Sequence, residues 1–399
     1  MKNKLDDKYS MFVDGFLISV ILTLEIIFSQ GIIIIIPFLI IRFFILCRKN
    51  KKMVITDTTL WLLVMLFLTT LNGLRVIDND EQFSVIYNLV AFICLILIQM
   101  IMHFYHNVID LIKPMVVITT ILSGGIIFVK EYGMLKNRWT DFLIGNSGYR
   151  LGISSGINPN MITWTFGFLA LLSLFLFATE KKMRYIGVYA IDLIVVFFTG
   201  SKNGLLLAII PLFIYAIKAL RKVNIKTLIL ISVLLLMIWF IIHRNPVLYT
   251  LVGKRIDSML YTLGLFNNVK NTSVSLDIGS TEKRLDMISV AEGMFWKHPI
   301  LGWGIGAFAK YSGYGYYCHN NYMEILVSCG IIGFLLYYCY LIYESFFLLK
   351  MKNGIKKDLA IMLFMSLFFL DFSTVNFYSH IALYIRTILL VEIIKLKYE

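Results

Sequence analysis

Apolar runs about as long as a bilayer is thick recur from one end of this chain to the other, and they restrict what it can fold into. A segment inside hydrocarbon must satisfy every backbone N–H and C=O within itself, so repeated runs of ~20 apolar residues become a bundle of helices. The runs fall near 11–28, 30–47, 58–76, 82–102, 112–129, 160–179, 184–200, 203–220, 226–243, 320–343, 357–373 and 379–395. They amount to about twelve spans. Composition agrees: 59% of residues are hydrophobic, 15% are charged, and mean hydropathy is +0.80. The expectation is an all-α, polytopic integral membrane bundle forming one membrane domain over 1–399. Two connectors are too long to be turns, one at 130–159 and a larger one at 244–319. The N-terminal MKNKLDDKYS leads into an apolar hairpin with no small-residue cleavage pattern, so no cleavable signal peptide is expected.

A net charge of +13 would point to nucleic acid in a soluble protein, but in a membrane protein its placement decides. With the N-terminus inside, CRKNKK, HFYHNVIDLIK, TEKKMR, KALRKVNIK, KMKNGIKKD and the tail KLKYE all fall on the inner side. With the N-terminal segment they hold 21 of the 37 Lys and Arg. The outer turns DNDEQ and STVNFYSH carry little positive charge. Both termini are therefore expected in the cytoplasm, and no nucleic-acid partner is implied. Two outer connectors break the bias: Lys130, Lys136, Arg138 and Arg150 lie in the first, and Arg284 with seven other cations in the second. Lys202 breaks it too, in the very short outer turn TGSKNG. Long loops cross regardless of charge, which covers most of these lysines but not Lys202. An anionic ligand on the outer face would account for it.

The five cysteines form no CxxC pair and the six histidines show no metal-ligand spacing apart from His103 and His106, so no metal site and no cofactor is expected. Chemistry gathers instead between Thr281 and Glu324. Ser280 and Thr281 suit the cap of a helix starting near Glu282, and Leu285, Ile288, Ala291 and Phe295 recur at helical spacing, which predicts an amphipathic helix with Arg284 in its first turn. His298-Pro299 should end it. Gly302, Gly304 and Gly306 follow, with no strand before them and no βαβ unit after, which rules out a dinucleotide fingerprint. Their use is close approach of backbone to a ligand or to the bundle. His319 stands at the head of the tenth run, followed by Asn320, Asn321 and Glu324. A histidine there can titrate near neutral pH, or simply hydrogen bond to a loop carbonyl. Glu25, Asp192, Asp371 and Arg386 also lie in apolar runs, where a structural ion pair such as Asp371 with Arg386 competes with a functional role. In the smaller connector, Arg150, Gly152, Asn158 and Asn160 make a polar turn before the sixth run, with Asn158 or Asn160 as its cap.

In their order these pieces resemble the O-antigen polymerase and O-antigen ligase superfamily of membrane glycosyltransferases. They are Arg150 and Gly152 with Asn158-Pro159-Asn160, then Thr199, Ser201, Lys202 and Gly204 between two runs. Arg284, Trp296, His298-Pro299, Gly302, Gly304, Gly306 and Phe308 follow, and His319, Asn320, Tyr322, Gly330 and Gly333 close the series. The family usually has arginine where this chain has Lys202, which keeps the charge but loses the planar fork. The resemblance implies a GT-C-like bundle without metal or cofactor that acts on a polyprenyl-pyrophosphate-linked oligosaccharide at the outer face of the cell membrane. It implies catalytic roles for His319 and Arg284 and pyrophosphate binding by Arg284, Lys202 and Arg150. Asn320, Glu324, Gly302, Gly304, Gly306 and Asn160 would support them. The products it implies are capsule, exopolysaccharide or O-antigen, with a flippase and a chain-length regulator as partners beside the bilayer. Repeat-unit polymerisation leads, and transfer of a finished glycan to another acceptor is the alternative. A transporter would also suit twelve spans, but should show charges deep in many of them and an inverted repeat, and none is visible.

Overall fold

The computed structural model describes residues 2–51, 53, 55–75, 85–105, 107–144, 150–220, 272–352, 354–378 and 380–398, with scattered positions between 233 and 257. Most of the expected span over 226–243, the DNDEQ connector, and Lys254, Arg255 and Lys270 of the larger loop lie outside the described residues. So does the side chain of Lys202.

Among the described residues every regular element is helical. The main helices are α1 (Lys2–Ile27), α2 (Ile36–Asn50), α3 (Asp57–Leu74), α4 (Val85–His103), α5 (Val108–Ile144), α6 (Pro159–Glu180), α7 (Arg184–Thr199) and α8 (Lys202–Leu220). After the sparsely described stretch come α9 (Thr272–Lys297), the short α10 (Ala307–Tyr311), α11 (Asn321–Lys350), α12 (Ile355–Asp371) and α13 (His380–Tyr398). Six stretches are long and apolar enough to cross a membrane: Lys8–Ile27, Asp57–Leu74, Val85–His103, Val108–Asn137, Pro159–Glu180 and Asn321–Lys350. A helical membrane protein is thus borne out. The other described runs coincide with α2, α7, α8, α12 and α13, which fall outside that measure.

The chain divides into two compact units, Met1–Leu122 with Asp286–Glu399, and Ser123–Leu285. In the first, α4 packs on α2, α3 and α13, and α11 on α3, α12 and α13. The charged centre of its interior is paired, because an unpaired polar group in an apolar core costs about 1–3 kcal/mol. Asp371 and Arg386, 2% and 4% exposed, form an ion pair. Asp371 also accepts from Tyr338 Oη (3.0 Å) and Asn376 Nδ2 (2.7 Å), and Asn321 Nδ2 donates to Tyr338 Oη (2.8 Å). Asn321 Oδ1 in turn accepts the backbone N–H groups of Asn376 and Phe377. The pair expected from sequence is the centre of a network tying the head of α11 to α12 and α13. Glu25 accepts from Tyr87 in the same unit.

In the second unit α6 is the central helix, buried from Ile162 to Leu176 and packed on α7 and α8. Gly204 on α8 is what lets it approach: a Cβ there would lie 2.7 Å from the Thr163 carbonyl oxygen on α6. Asp192 on α7 is buried and accepts from Ser173 on α6 at 3.3 Å.

The amphipathic helix differs from its expected form. It begins at Thr272, so Ser280 and Thr281 lie inside it and not at its start. TSVSLDIGS contains no proline, and its one glycine costs only ~1 kcal/mol, so nothing stops the helix from starting earlier. Its buried stripe is Met287, Ala291 and Met294, spaced i, i+4, i+7, while Leu285 is 62% exposed. The helix ends at Lys297, just before His298-Pro299, as expected.

Candidate functional site

The glycine turn joins the first unit through a break in a helix. Within α11, Gly330 has φ 63° and ψ −167°, a conformation that interrupts the helical ladder. A break of this kind leaves N–H and C=O groups without helical partners, and buried ones must find others. The turn supplies them. Trp303 N–H donates to Val327 O (2.7 Å) and Gly304 N–H to Ser328 O (2.8 Å). Beyond the break, Ile331 N–H donates to Pro299 O (2.8 Å). The two chains touch so closely that neither can carry a side chain at the crossing. A Cβ on Gly302 would sit 2.6 Å from Val327 O, and one on Gly330 would sit 2.7 Å from Gly302 N. Both residues also hold positive φ, +65° and +63°. Of the two uses the sequence left open for these glycines, approach to the bundle is the one seen for Gly302.

Arg75, just past the end of α3, locks the turn from the other side. Its Nη1 donates to Leu301 O (2.6 Å) and to Asn72 Oδ1 (3.1 Å), and its Nη2 to Gly302 O (2.8 Å). Ile305 N–H completes the clamp on Asn72 O (3.0 Å). Sequence reading missed Arg75. Its only signal was a cation at an outer helix end, and its partners are backbone carbonyls 226 and 227 residues away.

His319 is fixed by its two neighbours. Asn320 caps α11, its side chain accepting from Met323 N–H at 3.0 Å. Glu324, fully buried in the first turn, accepts the Cys318 N–H at 2.8 Å. Cys318 is itself buried among Met287, Ala291, Met294, Phe308 and Val327, and that burial pushes its thiol pKa up. His319 is thus held between two anchored residues at φ 56°, a left-handed conformation rare for anything but glycine. Its ring lies 4.4 Å from that of Tyr317 and 5.6 Å from that of Tyr316. Gly306, at φ 87°, precedes α10.

The other expected residues belong to the second unit. Arg150 braces the turn between α7 and α8: its Nε donates to Thr199 O (2.8 Å) and its Nη2 to Asn160 Oδ1 (3.2 Å). Leu151 N–H bonds Phe198 O at 3.0 Å beside it. Asn158 is the cap of α6, accepting from Asn160 N–H at 2.9 Å, so Asn160 is left as an acceptor for Arg150. The turn itself closes on Gly200 at φ 67°, and Lys202 opens α8. Arg284 is half-buried on α9, just before the first unit resumes at Asp286. The structure therefore groups Gly302, Gly304, Gly306, His319, Asn320 and Glu324 in one unit, and Arg150, Asn160 and Lys202 in the other. Among the described residues no three His, Cys, Asp or Glu side chains cluster as metal ligands.

A search of curated proteins gives no match to the chain. Residues 167–338 match a family model described as O-antigen ligase. That stretch takes in Lys202, Arg284, the glycine turn and His319, and begins after Arg150 and Asn160. It belongs to the O-antigen ligase and polymerase superfamily.

Proposed function

We propose that this protein is a GT-C-like membrane glycosyltransferase that joins polyprenyl-pyrophosphate-linked oligosaccharide repeat units on the outer face of the cytoplasmic membrane. The product is a surface polysaccharide: capsule, exopolysaccharide or O-antigen. The observation that carries the reading is the family match over 167–338, which holds Lys202, Arg284, the glycine turn and His319 in a single matched stretch. In the proposed step an acceptor sugar hydroxyl attacks the anomeric carbon of the donor glycan. The bond from that carbon to the pyrophosphate oxygen breaks, with inversion, and the hydroxyl proton passes to His319. Arg284 and Lys202 offset the charge developing on the pyrophosphate. Arg150 holds the turn that carries Lys202, and Glu324 and Asn320 hold His319.

A second reading has a specific observation in its favour, since the matching family is described as a ligase. In that reading the same step delivers a finished glycan to a different acceptor. One experiment tests the step and separates the two. His319→Ala should insert and fold normally while glycan transfer falls by ~10²–10⁴, the usual loss of a general base. The material left on the lipid carrier then decides. Single repeat units mean a polymerase, because no unit is joined to another. Long chains mean a ligase, because a separate polymerase still runs. Normal polymer on its normal acceptor would remove His319 from the reaction.

A further inference from the structure

We propose that the tyrosine-rich segment from Tyr311 to Tyr322 is a sugar-binding platform around His319, taking the neutral pyranose rings of a glycan. The choice of a glycan as occupant rests on the transferase reading above; the rest is carried by the segment itself. YSGYGYYCHNNYM, residues 311–323, holds five tyrosines and no formally charged residue, although Lys310 and Glu324 flank it directly. A phosphate or another anion would meet no cation within it. The ligand it suits is uncharged, with apolar faces and a polar rim. A pyranose has that form: its axial C–H bonds pack on an aromatic face, and its hydroxyls point outward.

The rings are arranged in advance. Gly313 and Gly315 hold φ of +84° and +74°, and a Cβ on either would meet nothing within 4 Å. Backbone conformation is therefore what requires glycine there, and the sharp bends bring the rings together. Tyr314 stacks on the buried Phe308, centroids 6.1 Å apart and planes 9° apart, and its hydroxyl donates to Asp286. That bond is the main reason its pKa is pushed up to about 12. Tyr316 follows at 6.3 Å from Tyr314, then His319 at 5.6 Å from Tyr316, and Tyr317 at 4.4 Å from His319. Successive planes are inclined by 58° to 62°, so the faces point in several directions and do not cover one another. Tyr316, Tyr317 and His319 are half-buried, and Tyr311 is 54% exposed. Rigid aromatic rings bind with little further loss of side-chain freedom. Tyrosines at a membrane surface also serve as interfacial anchors, but such belts are spread over many helix ends. Here they are concentrated in one connector and interlocked with one histidine.

The test is saturation-transfer NMR on the full chain in phosphatidylcholine nanodiscs, which avoid sugar-headed detergents. The probes are methyl β-galactoside, methyl α-glucoside and methyl N-acetyl-β-glucosaminide, with acyclic sorbitol as the control. We expect saturation on the ring C–H protons of at least one pyranoside and none on sorbitol. Tyr316→Ala and Tyr317→Ala should each weaken that pyranoside about three- to tenfold, the size of one aromatic contact. Tyr317→Phe, which keeps the ring, should bind as the parent does, and its parental binding excludes misfolding as the cause of the loss. No saturation on any pyranoside, or equal saturation in the alanine variants, overturns the platform. Glycan transfer from a lipid-linked donor, measured on the same nanodiscs, separates the two proposals. Transfer without pyranoside binding sinks the platform alone. Tyrosine-dependent binding without transfer supports the platform and sinks the transferase reading alone.

Discussion

Arg284 and Lys310 carry the same charge in the same outer part of the chain, but their surroundings differ. Lys310 lies over the ring of Tyr311, 5.3 Å from its centroid, on the short helix after the glycine turn. Arg284 is half-buried on α9 and opens the motif that continues into the glycine turn. Losing a donor aimed at a developing charge costs ~10²–10³ in rate, so the role proposed for Arg284 makes Arg284→Ala lower turnover by that amount. Lys310→Ala should stay within severalfold. Equal losses, measured as initial rates of glycan transfer, would mean that the outer cations act only as a diffuse field. Arg150 belongs to a different kind of residue. Its fork bonds Thr199 O and Asn160 Oδ1 together, and lysine cannot hold that planar geometry. Arg150→Lys should therefore lower the thermal midpoint, through loss of one hydrogen bond of about 0.5–1.5 kcal/mol, and Lys202→Arg should not. These residues also mark what the sequence could and could not reveal. Asn158 as a cap and Asp371 with Arg386 as a pair were legible, because capping is local and a buried charge demands an opposite one. Arg75 was not, because it is defined by backbone carbonyls of a turn far along the chain.

At the scale of elements, the junction between the glycine turn and α11 behaves as one object. Gly302 and Gly330 both have positive φ, and a side chain on either would strike the other's segment: Val327 to Cys329 backbone for Gly302, Ile300 and Gly302 backbone for Gly330. Gly330→Ala should destabilise the protein by more than the ~1 kcal/mol that a glycine-to-alanine change in a left-handed position costs, because the added carbon also meets backbone that cannot rotate away. Gly302→Ala should cost a similar amount. The double variant should cost clearly less than the sum, since residues in contact do not add. Full additivity in thermal unfolding of the purified chain would show that the two glycines act independently. Gly306→Ala is the control: it has positive φ but open space around it, so it carries the conformational cost alone. The glycines stood out in the sequence, yet their partner did not. A turn and a broken helix recognise each other through main-chain hydrogen bonds, which leave no side-chain pattern to read.

At the scale of the whole molecule, α11 links the fold to its orientation. It contains 30 residues, longer than a bilayer core needs. Its break at Gly330 divides it, and the part after the break, about 20 residues and roughly 30 Å, is enough to cross alone. The part before the break is then available to hold His319, Asn320 and Glu324 near one membrane surface. Helical character was legible throughout, because apolar runs of spanning length leave a chain in lipid little choice. The break was not, since Gly330 sits in an otherwise regular run. The basic connectors predict which surface is which: Lys350 ends α11, Lys352, Lys356 and Lys357 follow it, and all four should lie in the cytoplasm. Reporter fusions after Lys181 and Lys350 should then read cytoplasmic, and fusions after Lys136, Lys270 and Gly313 should read outside. Gly313 is the decisive position, because it precedes His319 by only a few residues and no apolar run separates them. A cytoplasmic signal there would put His319 on the face opposite to the proposed chemistry, and the mechanism would fail however severe the loss in His319→Ala.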